Sequence, residues 1–343
     1  MKKVVFVLLI ILLSGCEHNI EKGKEMELDY DNEYYTVYTP YKDGVGNNYV
    51  VGNSINSYDI EEIESSLMSL SMKYFKTNNS YYQEGQYLNE KTIKTLLDKE
   101  HFNKAENIKI DNITITPTYV TAIYEQNYLA SNGIVKGISL GIIMNPYQKY
   151  QNSYGSYQYK KIDDNSLIQI ANSKAKELVR DMRSNYDLRD VRILIAIYFQ
   201  PNPNDIMPGK YEYFDITADS DISLQKTNYG YQLLDSSYVS TNDISSYDAF
   251  INLKKELNNE IPNLYITGIG LYDDNLLSSV NIIINGTSLN RNKILYISQL
   301  LSKKLVNSFS NANIKVYIKM DNQVKTTITK RQNDIGFDVH ILD

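Results

Sequence analysis

Gly141-Ile142-Ile143-Met144-Asn145 and Asn281-Ile282-Ile283-Ile284-Asn285 are two versions of one phrase, and the sequence around each decides the fold. Working outward from the first, Tyr119–Tyr124 and Ile138–Met144 have the two-residue alternation of strands. A helix follows from about Ser166 to Ser184, with Leu167, Ala171, Leu178 and Met182 on one side, and then the apolar strand Val191–Phe199. Around the second phrase the order repeats. Strands Leu264–Tyr272 and Leu277–Ile284 are joined by the turn Asp273-Asp274-Asn275, and a helix from about Ser288 to Phe309 turns Ile294, Ile297, Leu301 and Leu305 inward. The strand Ile314–Met320 closes the set.

A helix precedes each block. Asp59 opens the first, with Glu62 placed for a capping box, and Ile60, Ile63, Leu67, Leu70 and Tyr74 form its apolar stripe. A shorter helix capped at Asn89 carries Ile93, Leu96 and Leu97. In the second block Ser246–Asn259 is the helix, with Phe250 and Leu257 inside and Pro262 stopping it. Both blocks spell helix, strand, strand, helix, strand. The expected class is therefore α+β, two similar halves with helices packed on antiparallel or mixed sheets. Pro201-Asn202-Pro203-Asn204-Asp205 can continue neither element, which sets the halves at 33–205 and 206–343. Short strands are expected from Tyr211 to Leu234, with a hairpin at Asn228-Tyr229-Gly230. Gly133, Gly137 and Gly141 mark turns or bulges.

The amino terminus carries a different message. Met1-Lys2-Lys3 is a basic start and Val4–Leu12 an unbroken apolar run. That run is too short for a bilayer span, which needs about 20 residues, but suits a cleaved signal peptide over 1–15. Leu13-Ser14-Gly15-Cys16 resembles the lipobox of bacterial lipoproteins, in which the peptidase cuts before the cysteine and its sulfur takes diacylglycerol. Cys16 is the one cysteine of the chain. The expectation is a lipid anchor on Cys16 holding the protein on the extracellular face of the cell membrane. Residues 16–32 lack apolar period and read as a flexible tether.

Loss of residues 1–15 removes two lysines and no acid, leaving 33 basic against 41 acidic residues, a net of −8. Such a surface attracts neither nucleic acid nor anionic lipid. The search for chemistry returns little. His18, His101 and His340 are dispersed, no metal or cofactor motif occurs, and no nucleophile elbow or phosphate loop is present. The chain reads as a non-enzyme with no catalytic residues. Asp219-Ser220-Asp221 lacks the rest of a calcium loop, and Glu61, Glu62 and Glu64 sit where a helix dipole favours acids, so both groups read as solvated surface.

The chain has 31 tyrosines and no tryptophan. Five of them, Tyr147, Tyr150, Tyr154, Tyr157 and Tyr159, fall between a strand and a helix, where the second half has only Gly286 and Thr287. Two readings fit. One is an adaptable binding loop for a peptide or cell-wall ligand; the other is a hairpin made tyrosine-rich by codon bias.

Several longer phrases carry a resemblance. Tyr35-Thr36-Val37-Tyr38-Thr39-Pro40-Tyr41-Lys42, Tyr82-Gln83-Glu84-Gly85-Gln86-Tyr87-Leu88, Glu125-Gln126-Asn127-Tyr128-Leu129, Met207-Pro208-Gly209-Lys210-Tyr211 and Phe337–Asp343 are similar, in that order, to phrases of the CamS family of sex-pheromone-precursor lipoproteins. The run Asp43-Gly44-Val45-Gly46-Asn47-Asn48 departs from the family in lacking an Arg-Gly pair. The resemblance implies a membrane-anchored lipoprotein of low-GC Gram-positive bacteria, without an established activity for the mature domain. It also implies processing proteases that trim the leader to a hydrophobic peptide inducing conjugation. Here that peptide corresponds to Leu8, Leu9, Ile10, Ile11, Leu12, Leu13 and Ser14.

Overall fold

The two phrases lie at the ends of corresponding strands in two separate sheets. A computed structural model of the chain describes residues 34–46, 60–99, 104–110, 112–205, 207–305, 308–309, 311–332 and 334–342. The signal peptide, Cys16, the tether, Asp59 and His101 lie outside these residues. The chain runs β1 (Thr36–Val37), α1 (Ile60–Met72), β2 (Tyr81–Glu84), α2 (Glu90–Leu97), β3 (Ile108–Ile110), β4 (Ile113–Ile115), β5 (Val120–Leu129), β6 (Val135–Met144), β7 (Tyr147–Gln151), β8 (Tyr157–Lys161), α3 (Asp164–Asn185) and β9 (Arg192–Phe199). It continues with β10 (Lys210–Thr217), β11 (Gln225–Lys226), β12 (Tyr229–Leu233), α4 (Ser237–Asn242), α5 (Ile244–Glu260), β13 (Tyr265–Asp273), β14 (Leu276–Gly286), α6 (Arg291–Leu305), β15 (Asn313–Met320), β16 (Gln323–Lys330) and β17 (Asp338–Ile341).

The first sheet has the order β1-β2-β5-β6-β9-β10-β11 and the second β12-β13-β14-β15-β16-β17. Without β1, the two orders correspond strand for strand. In each, the third and fourth strands are parallel (β6 with β9, β14 with β15) and every other neighbour is antiparallel. A parallel pair needs a long crossover, which α3 and α6 supply at equivalent places. The α+β class and the two similar halves are thus realised in one connectivity, used twice.

Local chemistry explains the element ends. Asp163, Asp243 and Asn290 accept the N–H of Ser166, Ser246 and Lys293, so α3, α5 and α6 begin where a capping side chain stands. Two tight turns in the second sheet hold paired left-handed residues, Asp274-Asn275 (φ 50° and 64°) and Asp321-Asn322 (φ 50° and 64°). Asp and Asn tolerate that region better than other side chains, and both signs of φ match the hairpin twist.

Three expectations move. Pro201–Asp205 is not the change of sheet: the chain reverses there and β10 returns along β9, with Lys210 opposite Phe199. Residues 206–226 therefore extend the first sheet, and the passage to the second falls between Lys226 and Tyr229. No hairpin forms at Asn228-Tyr229-Gly230, because β12 pairs with β13 rather than with β11. Gly133 is a turn residue (φ +80°), but Gly137 and Gly141 are strand residues that make room for the Phe75 ring and the Tyr211 hydroxyl.

The halves differ in their layers. β5, β6 and β9 are buried along nearly their whole length, as strands covered on both faces must be. α1 packs against β6, β9 and β10, and α3 against β6 and β9. In the second sheet β13 and β15 alternate buried and partly exposed residues. The buried set (Ile266, Ile282, Ile284, Val316 and Ile318) meets Phe250, Leu257, Ile297 and Leu301 of α5 and α6 in a core of its own. Among the described residues, the other face of this sheet has no helix of its own.

Candidate functional site

Three of the phrases quoted above converge at one edge of the first sheet. β1 lies parallel to β2, with Thr36 beside Tyr81, and β2 antiparallel to β5, with Tyr82 opposite Tyr128. Their aromatic rings pack together: Tyr128 stacks on Phe75 at 4.8 Å and meets Tyr35 at a tilt, 4.9 Å between centroids. Beneath them Glu125, only 1% exposed, accepts backbone N–H groups of Gln86 (2.9 Å), Tyr87 (3.1 Å) and Leu88 (2.7 Å). Burial pushes this carboxyl above its ordinary range, and the backbone N–H groups pull against that rise. Gly85 is required here, since a Cβ would stand 2.7 Å from that of Glu125. Glu84 accepts the Tyr41 hydroxyl (2.7 Å) and the Gly44 N–H (2.6 Å), so the run starting at Asp43 is tied to the same edge. The Glu84 hydrogen bond, with lesser contributions, raises the Tyr41 phenol to about 12. Phe337–Asp343 supplies β17, at the far edge of the second sheet. These phrases close sheets and bury side chains, so they read first as architecture.

A cleft opens elsewhere, between α1 and the uncovered face of the second sheet. Glu62 of α1 takes the Tyr231 hydroxyl of β12 at 2.5 Å and the Ser66 hydroxyl on its other oxygen. Lys73 meets Asp273 at 2.9 Å across the same junction, at the surface. The expectation that Glu61, Glu62 and Glu64 are solvated holds for Glu61 alone; Glu62 bridges the sheets, and Glu64 is half-buried with its carboxyl raised by burial.

The cleft encloses about 750 Å³. Its floor is read from the strand register: Ile269, Asn281, Lys315 and Thr329 stand side by side on β13 to β16. Glu61, Glu62 and Ser65 of α1 form the wall, and Arg331 borders the floor. The Asn281 side-chain oxygen is buried without a hydrogen-bond partner. An acceptor left so is unfavourable by about 1–3 kcal/mol. A smaller cavity of about 340 Å³ adjoins at Ser69 and Tyr229.

The duplication shows why the cleft exists. The equivalent row in the first sheet is Tyr124, Gly141, Ala196 and Phe214. Gly141 and Ala196 are small, leaving space for the Tyr211 ring, whose hydroxyl reaches the Ile63 carbonyl of α1 at 3.2 Å. In the second sheet Asn281 and Lys315 hold those places and no second α1 follows. Sequence reasoning did not select these residues, although the change from Gly141 to Asn281 within the repeated phrase was the available signal.

The tyrosine cluster forms the β7–β8 hairpin. Tyr147, Tyr157 and Tyr159 share one face of this ribbon with Lys149 and Lys161, by register, while Tyr150 lies on the other. Lys149 stands 4.1 Å over the Tyr157 ring, and Tyr154 at the tip is 91% exposed. Gln148 anchors the ribbon by accepting the Thr118 N–H at 2.8 Å. The five tyrosines are brought onto one hairpin, and Tyr147 borders a cavity beside Lys161. Asp219 accepts the Asp221 N–H and the Thr217 hydroxyl within its own turn, and His340 lies on β17 opposite Thr327. Among the described residues no three His, Cys, Asp or Glu side chains could hold one metal ion. Leu8 to Cys16 lie outside the described residues.

The chain was compared with known proteins. The family model of the CamS sex pheromone cAM373 precursor matches residues 41–335. The crystal structure of the sex pheromone precursor from Lactobacillus salivarius subsp. salivarius UCC118 is similar, at 24% identity and a TM-score of 0.79 over 91% of this chain and 97% of that one. The C-terminal domain of the sex pheromone staph-cAM373 precursor from Staphylococcus aureus is similar at 24% identity and a TM-score of 0.68, over 84% of this chain and 98% of that one. No curated protein matches. At these identities the two structures speak for the fold, while the family model spans most of the sequence. The chain belongs to the CamS sex pheromone cAM373 precursor family.

Proposed function

We propose that this chain is a surface lipoprotein anchored to the cell membrane through diacylglycerol on Cys16, and that its discarded leader is the source of a hydrophobic peptide, Leu8–Ser14. The carrying observation is the quartet Leu13-Ser14-Gly15-Cys16 at the end of an apolar run, with the one cysteine of the chain in the lipidated position. Membership of a pheromone-precursor family supports the second part. Among the described residues no helix is long and apolar enough to cross a membrane, so an anchor in this reading rests on the lipid. The two acyl chains of diacylglycerol, each buried methylene contributing about 0.8 kcal/mol, hold firmly where a single chain does not.

The test is mass spectrometry of membrane fraction and culture fluid from the native host. A diacylated Cys16 in the first and the Leu8–Ser14 peptide in the second are expected. Cys16→Ser should leave uncleaved precursor or release protein to the medium; unchanged membrane retention would sink the anchor.

A second reading is favoured by the cleft. In it the anchored chain binds peptide or cell-wall material, without a pheromone role. The observation behind it is an open cavity of about 750 Å³ lined by Glu61 and Glu62 on one side and by Asn281 and Lys315 on its floor.

A further inference from the structure

We propose that the cleft between α1 and the second sheet binds a short peptide with both ends free, lying across the strands from β12 to β15. This deepens the binding reading of the mature chain and does not depend on release of the leader. The chemistry of the two ends sets the ligand class. At the β12 end stand the carboxylates of Glu61 and Glu62, the latter fixed by the Tyr231 hydroxyl. At the other end Lys315 projects from β15, and no hydrogen bond or ion pair with a described residue engages its ammonium group. Asp338 lies on β17, two strands beyond Lys315 in the same row, and Asp334 accepts the Arg331 N–H.

Between the ends the floor is mixed. Ile269 and Leu271 give an aliphatic strip, and Asn281 beside them lines the cleft as its polar member. A ligand that answers all of this carries a cation at one end, an anion at the other, and polar backbone with an apolar side chain between. A peptide with free termini has those groups in that order. A polyanion would meet Glu61 and Glu62, and a hydrocarbon would leave Asn281 and Lys315 unanswered.

The dimensions agree. Neighbouring strands lie roughly 4.8 Å apart, so β12 and β15 are about 14 Å apart across three intervals. An extended chain covers at most about 3.3–3.6 Å per residue, which makes four residues the fitting length. The enclosed volume lies within the ordinary range of small-ligand sites, about 300–1,000 Å³.

The test uses the full chain in detergent, incubated with an equimolar library of free-ended tetrapeptides. Protein-bound peptides are separated by size exclusion and identified by mass spectrometry, against a detergent-only control. A subset of peptides should be retained, and N-acetylating or C-amidating the library should cut retention at least tenfold. Lys315→Met should do the same with an unchanged melting temperature, since its side chain is exposed on the uncovered sheet face. Asn281→Leu should do the same without a lower melting temperature, since it removes a buried unpaired acceptor. Retention no higher than the control, or equal retention by blocked libraries or by both variants, overturns the proposal. Purified cell-wall fragments, assayed in parallel, separate the two levels. Capture of fragments without tetrapeptides rejects the peptide inference and keeps the broader binding reading, whereas capture of neither rejects both.

Discussion

Glu125 is a carboxylate taken out of water and answered by three backbone N–H groups from one short loop. Its removal strands those donors. Glu125→Ala should therefore destabilise the protein by about 3 kcal/mol or more, read from urea unfolding, at the upper end for a single change. The titration of this group has a definite sign. Its carboxyl is held above the ordinary value of 4.5, so the folded state favours the protonated form. The stabilising contribution is full below the unfolded-state pKa and is lost as pH rises through the folded one. Subtracting the unfolding free energy of Glu125→Gln, which cannot titrate there, should give a wild-type advantage that narrows as pH rises above the ordinary carboxyl value. A widening advantage would mean that the backbone donors outweigh burial. Neither the burial nor the partners of Glu125 could be read beforehand, because its phrase and the 82–88 phrase are far apart in sequence and meet through strand pairing alone.

At the scale of elements, local signals were legible and edges were not. α3 and α6 have capping residues and regular apolar spacing, and the strands on either side of them alternate, so the repeated unit could be read from 118 to 320. β10 escaped assignment to its sheet because Pro201–Asp205 looks the same whether the chain leaves or reverses. β16 was missed for another reason. Gln323–Lys330 is rich in Thr and Lys, and half of it faces the uncovered side, so it lacks the apolar content of its neighbours. The turn before it was readable in hindsight, for Asp321-Asn322 repeats the φ values of Asp274-Asn275. That geometry predicts the response to substitution. Asn322→Ala should cost about 1–2 kcal/mol, as expected for a left-handed alanine, whereas Asn322→Gly should be near neutral. Thermal unfolding of the pair checks it; equal losses would mean that the Asn side chain, not the backbone, matters.

At the scale of the molecule, one connectivity has been used to make two different objects. The first is a sheet covered on both faces, and the second leaves a face open beneath the α1 of the first. The candidate site belongs to this asymmetry rather than to either half. It was invisible to a reading that searched for reactive residues within single segments, because its floor and wall come from different halves. The tyrosine hairpin was easy to see for the opposite reason: its residues are contiguous, and it projects from the fold with little effect on either core.

The ends of the two sheets have a consequence for how copies of the protein meet. β1 and β11 are two residues long, and β17 carries Asp338 and His340 with Asp343 beyond it in sequence. At these three borders a neighbouring molecule finds little backbone ladder to extend, which hinders strand-by-strand polymerisation there. β17 is the guard of the second sheet, for it covers the outer side of the eight-residue β16 from Thr326 to Thr329. Cutting the chain after Lys330 should leave a monomer that folds but associates with its own kind, seen as rising light scattering with concentration. A truncated protein that stays monodisperse would show that β16 protects itself. Where many copies are crowded side by side, four terminal strand residues would then separate a dispersed population from a fibrous one.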